Sequence, residues 1–137
     1  MPVVGAGKAR WNNVHVHDLS QLFLLLVEAV VSRRLDEGLW GEQGYYLVEN
    51  GEHNWTELAE KVGQETYSLG FTGKLERRQL SQEEALQQAG FEAVSWGLNS
   101  RGKAERARKL LNWNPSAPSI EQEIPNIIKD EHARLSK

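Results

Sequence analysis

The sequence contains no cysteine, and this absence excludes several kinds of protein at once. Without thiols, the chain forms no disulfide, no zinc ribbon and no thiol nucleophile. A composition free of cysteine is typical of proteins that work in a reducing compartment. We therefore expect a cytoplasmic protein.

Long hydrophobic runs are also missing. The longest one, Leu22 to Val31, is interrupted by Glu28 and falls far short of the roughly 20 residues that a membrane-spanning helix needs. The first residues, Met1 to Gly5, lack the charged leader and apolar stretch of a secretory signal. The sequence therefore predicts no membrane insertion.

A strong charge of either sign is absent as well. The chain of 137 residues has a formal net charge of -3, which does not favour nucleic acid as a partner. Its hydrophobic fraction of 39% and charged fraction of 26% are typical of one globular domain. Small molecules and protein surfaces remain as the expected partners.

The order of strand and helix patterns predicts an α/β fold with a few strands and four or five helices. Asp18 with Gln21, Asn54 with Glu57, and Ser81 with Glu84 are typical of helix starts. Gly70 and Gly90 are typical of helix ends. The predicted elements are a strand-turn-strand unit over 3–17, helix 18–34, strand 45–49, and helices 54–69, 81–89, 101–112 and 119–135.

The helix pattern over 19–31 is apolar on nearly every face. Leucine and valine occupy most of its positions, and Glu28 is the one charge within it. A surface helix has one apolar stripe and one polar face. We therefore expect other parts of a protein to cover this helix on more than one side.

Two motifs at the ends of the chain resemble one known family. The first is Gly5-Ala6-Gly7 followed by the run from Trp11 to Ser20, and the second runs from Ala107 to Pro115. Both are similar to segments of the extended short-chain dehydrogenases, the NAD-dependent epimerase/dehydratase family, and most similar to its atypical fungal-type members. The resemblance implies the C-terminal, substrate-recognising lobe of such a protein, with most of its Rossmann core missing.

Two family motifs are absent from the sequence. The Gly-x-x-Gly-x-x-Gly turn holds the pyrophosphate of the nucleotide, and the Tyr-x-x-x-Lys pair supplies the general base. The resemblance implies NAD or NADP for a full-length member, whereas we expect no cofactor site, no catalytic residue and no activity in this chain alone. The implied partners are the missing Rossmann lobe or another protein that covers helix 19–31, and a homo-oligomer is plausible on the same grounds.

Aromatic and amide side chains near the predicted strand ends are the candidate substrate-binding residues, because small-molecule pockets gather in such loops. Packing tryptophans and capping asparagines are the alternative interpretation. By resemblance, Trp11 replaces an arginine with which epimerases contact a diphosphate, which favours a smaller or less charged ligand than a sugar nucleotide. The predicted substrate wall consists of Trp11, Asn13, His15, Trp96, Asn99 and Arg101.

Two other clusters have simpler interpretations. His15 and His17 alternate on a predicted strand, but two ligands do not make a zinc site, and we predict no metal. The basic run from Arg101 to Lys109 contains Glu105 and precedes the apolar Leu110 and Leu111, so we expect a solvated basic face.

A non-catalytic binding or assembly module that presents helix 19–31 is the alternative function.

Overall fold

The computed structural model describes residues 1–34 and 38–136, and the fold is α/β, as the sequence predicts. Short strands and longer helices alternate within these two ranges. No helix there has both the length and the hydrophobicity required to cross a lipid bilayer. The elements are β1 (Pro2–Val4), β2 (Arg10–Asn12), α1 (Val16–Val31), β3 (Glu52–Asn54), α2 (Trp55–Ser68), β4 (Arg78–Leu80), α3 (Gln82–Ser95), α4 (Glu105–Leu111) and α5 (Ile120–Leu135).

The chain divides into two compact units, each made of discontinuous segments. Unit 1 comprises Met1–Trp11, Glu52–Arg101 and Ile120–Lys137. Unit 2 comprises Asn12–Gly51 and Gly102–Ser119.

Unit 1 is built on two parallel strands and two packed helices. β1 pairs with β4 in parallel, with Pro2 opposite Arg78 and Val4 opposite Leu80. Val4 and Leu80 form a small core with Ala85 and Ala93 of α3. α2 packs against both β1 and α5. Each strand of unit 1 has only three residues, and the buried apolar residues come from strands and helices alike. They include Val3, Val4 and Leu80 of the strands and Ala85, Ala93, Ile124 and Ile128 of the helices.

The glycine turn after β1 does not close a hairpin, which corrects the predicted strand-turn-strand unit. β1 pairs with β4, and β2 pairs with β3. The carbonyl of Gly7 accepts hydrogen bonds from Asn54 Nδ2 and Thr56 Oγ1, both at 3.0 Å. Gly7 has φ +67°, and a Cβ there would lie 2.7 Å from Thr56 Oγ1. The turn is therefore fastened to the start of α2, and only glycine fits.

Two predicted helix starts are confirmed. Asn54 Oδ1 accepts from the amides of Thr56 and Glu57 at 2.8 and 3.1 Å. Ser81 and Glu84 form both hydrogen bonds of a capping box. These contacts join residues two or three positions apart, which is why the local sequence predicts them.

The helical backbone of α3 is interrupted at Gly90, where the sequence predicts the helix to end. Gly90 has φ +74° and interrupts the helical backbone together with Ala89, but helical residues resume and continue to Ser95. Residues 91–95, which we expected to lie in a loop, are thus helical. The positive φ of Gly90 therefore ends the first helical segment, and a second, shorter segment follows the kink.

The predicted cap of α1 is also wrong. The helix begins at Val16, and His15 Nδ1 accepts from the His17 amide at 3.1 Å. Asp18 is buried, and its carboxylate accepts from the amides of Ser116 at 2.9 Å and Ala117 at 3.1 Å. A loop distant in sequence uses the side chain that we expected to cap the helix.

Residues 45–49, which are predicted to form a strand, do not form one. Two arginines of α4 instead hydrogen-bond to backbone carbonyls of this segment. Arg106 Nε donates to the Tyr45 carbonyl at 2.9 Å, and Arg108 Nη2 donates to the Glu49 carbonyl at 3.0 Å. Arg108 also pairs with the Glu49 carboxylate at 2.7 Å. Arg106 and Arg108 therefore hold this loop, while Arg108 remains exposed together with Arg101, Lys103 and Lys109, as expected for a solvated basic face.

The core of unit 2 covers one side of α1. Leu22 and Ala29 are buried on that side, and Trp113 donates from Nε1 to the Asp18 carbonyl at 2.9 Å. The opposite side of α1 is exposed to solvent, so the expected coverage on several sides does not occur within the described residues. The buried residues of this core are Leu22, Ala29, Leu39, Ala104, Ala107, Leu111 and Trp113.

We predict that Asp18→Ala destabilises the chain by about 2–3 kcal/mol, because it leaves the amides of Ser116 and Ala117 without their buried charged acceptor. The free energy of unfolding from urea titration measures this effect. Glu28→Ala on the exposed side of the same helix is the matched control, with an expected change within about 0.5 kcal/mol. Equal losses for both variants would contradict the role of Asp18.

Candidate functional site

The segment after α3 lies along β2 and brings distant predicted residues together. Trp11 and Ser100 form a parallel bridge, and the Ser100 amide donates to the Arg10 carbonyl at 3.0 Å. The Arg10 amide donates to Asn99 Oδ1 at 2.9 Å, and Trp11 Nε1 donates to the Leu98 carbonyl at 2.8 Å. Trp11 and Asn99 of the predicted substrate wall are thus neighbours in unit 1.

Trp55 is the centre of an aromatic cluster that we did not predict as a site. Its ring meets Trp11 edge-on at 5.2 Å between centroids and stacks on Trp96 at 5.5 Å. His53 meets Trp55 edge-on at 4.7 Å. The aromatic cluster (Trp11, His53, Trp55 and Trp96) therefore brings two predicted wall residues together through Trp55, which is not among the predicted wall residues.

The register of β2 and β3 explains why the sequence did not reveal this cluster. The Trp55 amide donates to the Ala9 carbonyl, and the Asn13 amide donates to the Gly51 carbonyl. This register places Trp11 opposite His53, on one face of the two-stranded ribbon. A sequence pattern does not show which strands pair, so no local signal identifies His53 or Trp55.

The aromatic cluster borders a small apolar cavity. The cavity has a volume of about 240 Å³ and lies between β1 and α2. Trp55 and Trp96 line it together with aliphatic side chains. Because no charged side chain lines it, the cavity suits an apolar or aromatic group of a ligand. The lining residues are Pro2, Val3, Val4, Trp55, Thr56, Leu58, Ala59, Val62 and Trp96.

Arg101 belongs to a different surface of the same ribbon. Its guanidinium lies 2.8 Å from Glu52, which also pairs with Arg10 at 3.1 Å. Successive residues of a strand point to opposite faces, so Arg10 and Glu52 lie on the face opposite Trp11 and His53. The structure thus separates the charged part of the predicted wall from its aromatic part.

Asn13 and His15 lie in unit 2, whereas the other four predicted wall residues lie in unit 1. Asn13 donates from its amide to the Gly51 carbonyl, and its carbonyl accepts from the Asn50 amide at 2.8 Å. His15 caps α1. Both residues therefore have structural contacts, and their role in substrate binding stays a prediction.

Two larger concave surfaces also lie in unit 1. A groove of about 480 Å³ between α2 and α5 is lined mainly by isoleucine, leucine and valine. A basin of about 400 Å³ near the start of α2 has both signs of charge, and its Arg77 pairs with Glu60 at 3.0 Å. Neither contains a residue of the predicted wall.

Burial lowers the pKa of His53 below its ordinary value of 6.5, and the nearby carboxylate of Glu121 partly offsets this effect. The imidazole is therefore neutral at neutral pH and belongs to the aromatic cluster as an uncharged ring. Within residues 1–34 and 38–136, no group of three or more His, Asp or Glu side chains could hold a metal ion.

The chain is similar in sequence to part of a longer oxidase. The chain is 37% identical over 138 residues to the oxidase ucsJ of an Acremonium species. The match includes 96% of this chain and 40% of that oxidase, so the chain spans well under half of its relative's length. Comparison with protein-family models gave no match. Comparison with solved structures gave none either.

We predict that Trp113→Phe destabilises the chain by about 1–2 kcal/mol more than Trp55→Phe, because a buried hydrogen bond is lost only at Trp113. Trp113 is 2% exposed and donates to Asp18. The buried Trp55 Nε1 has no hydrogen-bond acceptor among the described residues. Urea unfolding of the two variants measures the difference, and a larger loss for Trp55→Phe would contradict it.

We predict that the chain loses stability as the pH falls through 6.5 toward the lowered pKa of His53. The unfolded chain binds a proton there that the folded chain does not, so the contribution of His53 is complete above pH 6.5 and declines below it. Urea midpoints at neutral and mildly acidic pH measure this effect. His53→Phe should flatten this part of the profile, and an unchanged profile would contradict the assignment.

Proposed function

We propose that the chain is the substrate-recognising part of a longer oxidoreductase of the NAD-dependent epimerase/dehydratase kind. The similarity to 40% of an oxidase supports the view that it is one part of a larger protein. The two motifs around Trp11 and Trp113, and their order in the chain, support the choice of family. The longer protein would use NAD or NADP for redox chemistry, epimerisation or dehydration.

The aromatic cluster is the observation that carries this proposal. Trp11 and Trp96 lie far apart in the sequence, and both are predicted substrate contacts. Trp55 contacts both of their rings. Stacked and edge-on indoles next to an apolar cavity of about 240 Å³ suit a compact, uncharged substrate. We therefore propose a small carbonyl or hydroxyl compound with an apolar body, held by Trp11, Trp55 and Trp96.

The role of this chain is binding and orientation. The sequence has neither the glycine turn that holds a dinucleotide nor a Tyr-x-x-x-Lys pair. In this proposal the nucleotide site belongs to the rest of the longer protein. In the longer protein the chain would position the substrate and exclude water from its apolar side.

Indole NMR signals test this proposal, because the chain has five tryptophans in different surroundings. Titration of the ¹⁵N-labelled chain with cyclohexanone and cyclohexanol should shift the indole N–H signals of Trp55 and Trp96. The signal of Trp113, which lies in the other core, should not move. Shifts in all five indole signals, or in none of them, would contradict the proposal.

Two variants and a cofactor titration complete this test. Trp96→Ala should abolish the shift at Trp55, whereas Trp40→Phe in unit 2 should leave it unchanged. NADH and NADPH titrations followed by fluorescence should show no saturable binding to the chain alone. Tight binding of either dinucleotide would overturn the assignment of the nucleotide site to the rest of a longer protein.

The exposed side of α1 favours a second candidate function. Phe23, Leu24 and Val27 on this side are each more than half exposed. A module that binds another protein presents such a surface, whereas a substrate-binding module does not require one. A stand-alone assembly module would show no response of Trp55 and Trp96 to either ligand.

A further inference from the structure

We propose that Asn50 and Gly51 form a self-modification site, at which Asn50 converts to aspartate and isoaspartate and the contacts of Asp18 weaken. This inference depends neither on the proposed substrate nor on the rest of a longer protein. Its basis is one reactive dipeptide, the long hydrogen bonds that hold its reacting groups, and the buried carboxylate beside it.

The reaction requires only the dipeptide and water. The backbone nitrogen of Gly51 attacks Cγ of Asn50 and loses its proton to a solvent base, while Nδ2 takes up a proton and leaves as ammonia. Water then opens the resulting five-membered succinimide at either of its two carbonyls. One opening gives aspartate, and the other gives isoaspartate, in which the main chain continues through the side-chain carbons.

The sequence contains one Asn-Gly pair, at positions 50 and 51. Asparagine is a thermolabile residue, and a following glycine has no Cβ to obstruct the attack of its nitrogen. The structure also requires glycine at this position. Gly51 has φ +139°, and a Cβ there would lie 3.2 Å from Asn13 Oδ1. The backbone therefore excludes a bulkier residue that would slow the reaction.

Both reacting groups are held only by long hydrogen bonds. The Gly51 amide donates to Glu49 Oε2 at 3.3 Å, and Asn50 Nδ2 donates to Asp18 Oδ2 at 3.5 Å. Both distances exceed the usual N–H···O range of about 2.7 to 3.2 Å. In contrast, Asn54 Nδ2 donates at 3.0 Å and its Oδ1 accepts at 2.8 Å. The side chain of Asn50 can therefore turn toward the Gly51 nitrogen, whereas Asn54 is fixed.

The aspartate product places a second negative charge beside Asp18. The buried carboxylate of Asp18 accepts from the amides of Ser116 at 2.9 Å and Ala117 at 3.1 Å. A carboxylate at position 50 replaces an amide donor to Asp18 with a like charge, and neighbouring like charges disfavour each other. Formation of aspartate therefore weakens the contact between α1 and the loop after Trp113.

The isoaspartate product acts on the backbone. The Asn50 amide donates to the Asn13 carbonyl at 2.8 Å, and the Asn13 amide donates to the Gly51 carbonyl at 3.1 Å. Isoaspartate adds one carbon to the main chain between these two groups. The pair of hydrogen bonds then loses its spacing, because both depend on distance and angle.

Ageing of the folded wild-type chain at mildly alkaline pH tests the reaction. Peptide mass spectrometry should show the exchange of NH₂ for OH at Asn50, with oxygen taken from isotopically labelled water, well before any change at Asn99. Isoaspartyl methyltransferase with S-adenosylmethionine should label the aged chain. Conversion of Asn50 no faster than that of Asn99, which precedes Ser100, or conversion only in urea, would overturn the proposal.

Two variants test the consequence for Asp18. Asn50→Gln is the matched control, because glutamine would have to close a less favourable six-membered ring, and it should not change on ageing. Asn50→Asp introduces the charge without altering the main chain. Aged wild-type chain and Asn50→Asp should both have a lower urea midpoint than fresh wild-type chain.

The indole NMR signal of Trp113 is the local measurement, since Trp113 donates to the Asp18 carbonyl. It should shift in the aged wild-type chain and stay constant in Asn50→Gln during the same ageing. An aged wild-type chain with modified Asn50 but an unchanged urea midpoint and Trp113 signal would overturn the link to Asp18. Circular dichroism confirms that each variant is folded, and the rate in the wild-type chain requires no variant.

Discussion

The short length of the strands is the constraint on which both units depend. In the part of the chain that the structure describes, every strand has three residues and each sheet has two strands. Such sheets satisfy few backbone groups and are marginal by themselves. The remaining loop amides and carbonyls need partners, because an unpaired buried backbone group costs free energy comparable to a lost hydrogen bond. Side chains fill this role throughout the chain.

In unit 1, Asn54 and Thr56 both donate to the Gly7 carbonyl. In unit 2, Asp18 accepts from the amides after Trp113, and Glu49 accepts from the amides of Gly51 and Ala104. Apart from the local contact between Glu49 and Gly51, each contact joins a helix terminus or loop to a segment distant in sequence. Charged and polar residues that look like surface residues in the sequence are therefore parts of the framework.

The short length of the strands also determines how the residues of the aromatic cluster are held together. β2 is too short to hold Trp11 by its ladder alone, and the segment that includes Leu98 and Asn99 adds hydrogen bonds on its other side. This arrangement brings Trp96 to the ring of Trp55. The candidate site thus depends on polar contacts of the backbone, while the rings supply the surface that a ligand would contact.

The contrast between Asn54 and Asp18 shows how much of the fold was predictable. Both side chains have the chemistry of a helix cap, and both stand where a helical pattern begins. Asn54 caps α2 as predicted, because its partners lie within three residues. Asp18 does not cap α1, because the amides of residues 116 and 117 compete for it, and no local pattern reveals a loop about a hundred residues away. Trp55 was missed as a site residue for the same reason.

The amino-acid sequence by itself determined the α/β class, most helix positions and the local caps, because these depend on periodicity and on contacts within one turn. It also identified Trp11 and Trp96 as candidates. The tertiary structure alone decided the strand pairing, the partners of Asp18, Arg106 and Arg108, the gathering of His53, Trp55 and Trp96, and the side of α1 that remains exposed. Those features depend on which distant segments of the chain pack together. The free energy that favours this packing comes from many contacts between residues far apart in the sequence, and no short stretch of sequence contains them.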